Sequence, residues 1–150
     1  MRVFQNVEEL LDVSGTILGV SPWHEITQEH INQFAAATGD HQWIHTDPQK
    51  AVTGPFGQPI AHGFLTLSMI SMLAWEVYSV QNVSVTINYG LNRVRFPAPT
   101  PVGSLVRAEV ELVDVSQTDK GVQMIQNVTI ERKDETKPVC VAQTVTLLIP

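Results

Sequence analysis

The chain is 150 residues long, enough for one domain to bury a real core without disulfides or a metal to hold it together. Its formal charge of -6 comes without any basic cluster, which excludes a general nucleic-acid surface built to neutralise phosphates. It lacks the roughly 20 consecutive apolar residues of a membrane helix and the apolar core of a signal peptide, and Cys140 stands alone, so a cytoplasmic, membrane-free protein is expected.

In chain order, the first candidate strand is a short one around Thr16 to Val20. From Thr27 to Thr38, Ile31, Phe34 and Ala35 recur at helical spacing, with Thr27 placed to cap the start and Gly39 the end. That helix delivers Asp40 at its terminus, and His45 follows after His41, Gln42, Trp43 and Ile44. On one continuous helix this offset would hold the two side chains about 140° apart, so a loop must bring them together. Asp47 precedes Pro48 and is biased away from helical angles, and Gly54, Pro55, Gly57 and Pro59 then mark a turn-rich connection.

The segment from Gly63 to Tyr78 reads as a helix that is apolar around most of its circumference, so something must wrap it. Val83, Val85, Ile87 and Tyr89 then alternate with Ser84, Thr86 and Asn88, predicting a strand with one buried face. Leu105 to Leu112, Val122 to Glu131 and Val139 to Ile149 continue that period, with turns at Asp119-Lys120-Gly121 and Lys133 to Pro138. The pattern predicts an α+β fold in a single domain over residues 1–150, with an antiparallel meander wrapped around a long central helix. One curved sheet leaves sheet edge or helix surface uncovered, so a homodimer is expected; an N-terminal segment folded over that surface would satisfy the same physics.

Asp40 and His45 are the residues best suited to chemistry. A carboxylate and an imidazole that reach one water supply an acid and a base near neutral pH. The structural alternative is that Asp40 caps a turn and His45 is a hydrogen-bonded core residue. His41, His45 and Asp47 are followed by no familiar third-ligand spacing, and no metal is expected. Cys140, in an alternating apolar run, reads as a small buried side chain.

Phe34, Gly39-Asp40, Ile44-His45, Asp47-Pro48 and Ala51 resemble the signature of MaoC-like dehydratases and R-specific enoyl-CoA hydratases, the hydratase 2 group of the hot-dog fold. Pro59-Ile-Ala-His-Gly63, and Arg95-Phe96 followed by Pro101-Val102-Gly103, look like that family's second and third landmarks. The segment from Asn88 to Pro99 also resembles the nodulation N-type subgroup. The departure is Gln42-Trp43, where the family has Asn-Pro: Gln42 offers an amide on a longer stem, and Trp43 removes a stiffening proline.

The resemblance implies a single hot-dog domain and addition of water to a trans-2-enoyl-CoA thioester, with CoA as part of the substrate and no cofactor. In that reading Asp40 is the preferred base, and His45 positions water and relays a proton. The amide of Gly63 serves the thioester oxygen, and Ser71 touches the catalytic group. Gln42 is a candidate support for the site, and Arg93 and Arg95, at strand spacing, are candidate CoA phosphate contacts. Two other activities fit the same fold: acyl-CoA thioester hydrolysis, or a non-catalytic acyl-thioester-binding subunit.

Overall fold

The structure, a computed structural model, describes all residues from Met1 to Pro150. The chain runs β1 (Arg2–Phe4), α1 (Glu8–Leu11), β2 (Thr16–Val20), β3 (His24–Glu25), α2 (Gln28–Thr38), α3 (Trp43–Thr46), α4 (Pro48–Val52), α5 (Gly63–Ser68) and α6 (Ile70–Val77). It continues through β4 (Tyr78–Val80), β5 (Val85–Arg95), β6 (Leu105–Thr118), β7 (Gly121–Arg132) and β8 (Cys140–Ile149). Six strands make one antiparallel sheet in the order β2-β6-β7-β8-β5, with β3 also paired to β6. No helix is long and apolar enough to cross a membrane.

The two-residue period of the long strands builds the core. Val106, Ala108, Val110 and Leu112 of β6 are fully buried, as are Met124 and Ile130 of β7. Ile70, Leu73, Ala74 and Val77 of α6 bury their side of the central helix in the same cluster. Removing this much apolar surface from water is the main favourable term for a domain of this size.

Three expectations are corrected. The central helix is divided at Met69 into α5 and α6, and Tyr78 leaves it for extended angles. Tyr78 then enters β4, which pairs in parallel with β1, aided by an edge contact between the Phe4 and Tyr78 rings. That parallel pair carries no periodic signal because each of its strands has only three residues.

The third correction concerns β5, for which the alternation predicts one buried face. As expected of one curved sheet, helix surface stays uncovered, with Phe64 and Trp75 exposed at 69% and 68%. The alternating apolar residues of β5, Val85, Ile87, Tyr89 and Leu91, also lie open to solvent. Strand β5 is an edge with β8 as its one neighbour, and the N-terminal segment is committed to β4 instead of covering it.

A buried polar pair ties β4 to the sheet: Gln126 of β7 donates from Nε2 to the Tyr78 hydroxyl at 2.9 Å. Burial pushes the Tyr78 phenol up to about 12, against a weaker opposing pull from Gln126. Replacing Tyr78→Phe strands the Gln126 amide in the core and is expected to lower unfolding free energy by about 1–3 kcal/mol. Denaturant titration measures this, and Tyr78→Phe combined with Gln126→Leu should recover part of the loss.

Candidate active site

Local structure places Asp40 and His45 on either side of one turn. Helix α2 begins at Thr27, whose hydroxyl accepts from the His30 amide at 3.2 Å, and ends at Gly39 with φ 79°. That left-handed angle suits glycine and turns the chain sharply into Asp40. Asp40 Oδ1 then accepts from the backbone amide of Gln42 at 3.3 Å, at the entry to α3. The expected loop is therefore a turn followed by a single-turn helix carrying His45. Asp47 caps the next helix, accepting from the Lys50 amide at 3.0 Å ahead of Pro48.

His45 is buried, and its Nδ1 lies 2.7 Å from the Ile60 carbonyl. A carbonyl only accepts, so Nδ1 carries the proton and the neutral ring keeps a lone pair on Nε2. Burial lowers the His45 pKa; the Ile60 carbonyl opposes this, His62 lowers it further and Asp40 raises it, with a net downward shift. At neutral pH His45 is in its base form.

Ile60 is itself fixed. Its amide donates to the Ile44 carbonyl at 3.0 Å, and Ala61 donates to the Thr100 carbonyl at 2.7 Å. His62 follows, buried and stacked on His45 with centroids 3.8 Å apart at 26°. Its Nε2 donates to the Asp40 backbone carbonyl at 2.9 Å and lies 4.0 Å from Asp40 Oδ2. The carboxylate itself is half exposed, with 55% of its side-chain surface accessible. Asp40, His45 and His62 keep their ligand atoms within 4.8 Å of one another. This grouping replaces the His41, His45 and Asp47 set weighed from sequence, and within it His62 Nε2 is engaged as a donor to the Asp40 carbonyl.

Gly63 is the first residue of α5, where a backbone N–H has no intrahelical acceptor. A Cβ there would lie 2.9 Å from the Phe96 ring. Phe96 fills the space that a side chain at Gly63 would need, which couples the second family landmark to the third. His62 is the site residue that sequence reasoning left without a role, and its only signal was its place beside Gly63.

The remaining candidates are more dispersed. Ser71 accepts from Asn88 Nδ2 at 3.0 Å and lines a pocket of about 200 Å³ with Leu67, Leu91 and Val145. Its side-chain partner is Asn88, not Asp40 or His45. Gln42 contributes its backbone amide to Asp40, and its side chain is exposed. Arg93 lies over the sheet beside Glu111 and Asn127, and Arg95 donates to the Val94 carbonyl at 2.6 Å. Burial pushes the Cys140 thiol up to about 11, which leaves it a poor nucleophile.

Comparison with known proteins places the chain in a family. Residues 12–134 match the model of the MaoC like domain. The chain is 51% identical over 146 residues to 3-hydroxyacyl-thioester dehydratase Z of Mycobacterium tuberculosis, spanning 97% of each. It is 42% identical to Nodulation protein N of Rhizobium meliloti, covering 89% of this chain and 86% of the relative. The solved (R)-hydratase from A. caviae superposes with a TM-score of 0.73 at 26% identity, covering 91% of this chain and 96% of that one. The hot-dog architecture is thus shared with an R-hydratase.

Trp43 replaces the stiffening proline of the family pattern by packing. Its ring fills the space above Gly54, where a Cβ would lie 2.7 Å away, and Lys50 sits over it at 5.0 Å. Gly54→Ala is expected to destabilise the protein by about 1–3 kcal/mol through overpacking. In a Trp43→Ala background the same change should cost under about 0.5 kcal/mol, a coupling that a double-mutant unfolding cycle measures.

Proposed function

This chain belongs to the MaoC-like domain family, and from that membership and the geometry of its site we propose an R-specific enoyl-CoA hydratase. The reaction is reversible addition of water to trans-2-enoyl-CoA, giving R-3-hydroxyacyl-CoA. The observation that carries the proposal is the buried His45, held by Ile60 with its Nε2 in base form close to Asp40. Membership supports a hydratase or dehydratase; the enoyl-CoA substrate is our narrower reading.

In this mechanism one water lies between the Asp40 carboxylate and His45 Nε2. Its oxygen bonds to C3 while the C2=C3 electron pair shifts toward the thioester oxygen. Asp40 takes the proton released by the water and passes it to the bare His45 Nε2, which delivers that same proton to C2, so one molecule of water is added overall and both groups return to their starting state. The Gly63 N–H, free of an intrahelical acceptor, donates to the oxygen as enolate charge develops. Ser71, Gln42, Arg93 and Arg95 are assigned to the walls and CoA contacts of the site, outside side-chain hydrogen-bond reach of the dyad. The chemistry needs no cofactor beyond the CoA carried by the substrate, and the absence of a paired cysteine suits a cytoplasmic setting.

A homodimer completes the protein in this reading. The exposed edge β5 and the exposed Phe64 and Trp75 form an apolar surface that a second copy would cover. Trp75→Asp with Tyr89→Asp is expected to convert the dimer to monomer in sedimentation velocity, and a monomeric wild type would remove this part of the proposal.

The catalytic assignment is tested by following loss of enoyl absorbance from crotonyl-CoA and the configuration of the product. Asp40→Asn and His45→Gln should each lower kcat by at least ~100-fold, as removal of an acid-base group does. Near-normal turnover in either folded variant would overturn the assignment. Release of free CoA without hydration would favour a thioesterase, and silence across several chain lengths a binding subunit.

A further inference from the structure

We infer that His62 is a positioning residue for the dyad, holding Asp40 and His45 at fixed spacing from the Gly63 amide. This rests on the hydratase reading of that site. His62 joins three of its parts at once. It donates from Nε2 to the Asp40 carbonyl at 2.9 Å, stacks on the His45 ring at 3.8 Å, and is bonded through the chain to Gly63. Phe34 closes a further side at 5.0 Å, so the ring has little room to swing.

Its other nitrogen separates this role from simple filling. His62 is only 3% exposed, yet Nδ1 is a buried polar atom with no hydrogen-bond partner. A phenylalanine would fill the same space and leave no polar atom stranded. What a phenylalanine cannot do is donate to the Asp40 carbonyl or set a second imidazole against His45. Of the titratable groups acting on His45, Asp40 comes from the turn after α2 and His62 from the segment before α5. The α2 contacts are uncharged: Gln28 donates to the His45 carbonyl at 2.8 Å, and Phe34 packs on His62.

Two variants divide the role. His62→Gln carries an amide donor near the place of Nε2 but has no ring, whereas His62→Phe keeps a ring and loses the donor. Hydration of crotonyl-CoA is expected to fall at least about 10-fold in kcat for His62→Phe, with KM within about 3-fold of wild type, because small misplacements of reacting groups are costly. His62→Gln should recover to within about 3-fold of wild type. In both variants the NMR titration of the His45 ring should move to higher pH, since a neighbour that disfavours its charge is gone.

Equal losses in the two variants that track a lower Tm, with the His45 titration unmoved, would reduce His62 to packing and overturn the inference. The NMR measurement needs no turnover. An inactive wild type with a shifted His45 titration would therefore retain the positioning role and reject the hydratase reading.

Discussion

The site depends on the fixing of Ile60. Its amide holds the Ile44 carbonyl and its carbonyl holds His45 Nδ1, so one residue clamps α3 from two sides. The segment around it is bound in turn: Pro59 accepts from the Val102 amide at 2.9 Å, and Ala61 donates to Thr100 at 2.7 Å. Residues 59–61 thereby connect the turn bearing Asp40 and His45 to the approach of β6, and so to the buried sheet. The next residues are His62 and Gly63, the stacking ring and the first amide of the central helix. If Ile60 moved, His45, Asp40 and the Gly63 amide would all lose their common frame.

That frame explains an economy in the electrostatics. Burying an imidazole favours its neutral form, and a hydrogen bond from Nδ1 to a backbone carbonyl fixes which nitrogen is bare. The carboxylate needs the opposite environment, and Asp40 remains half exposed beside a backbone amide. Two titratable groups in unlike surroundings are what an acid-base pair requires. The large aromatic at position 43 does not loosen this arrangement, because Gly54 opposite it leaves room for the ring.

Much of this was legible in the residues. The caps of α2, the long strands and their turns follow from local chemistry: Thr27, Gly39 and the alternation of Val106 through Leu112 each signal their role within a few positions. Asp40 and His45 stand out by residue type, spacing and a family pattern, and the structure brings them close together. The break at Met69 and the parallel pairing of Tyr78 were not legible, since nothing at Met69 breaks a helix and three-residue strands have no period to read. The exposed face of β5 was misread for a different reason. Alternation shows that a face is apolar, but whether this chain or another copy covers it is decided by tertiary structure. His62 was missed because its meaning lies in a stacking contact 17 residues away in sequence, which no local pattern encodes.

The central claim is that Asp40 and His45 direct water to carbon and leave the thioester intact. The most direct measurement is the reaction of crotonyl-CoA in water enriched in oxygen-18, with products resolved by mass spectrometry. The account predicts one heavy oxygen on C3 of an R-3-hydroxybutyryl group still joined to CoA. Heavy oxygen in the carboxylate of a free acid, with CoA released, would contradict it.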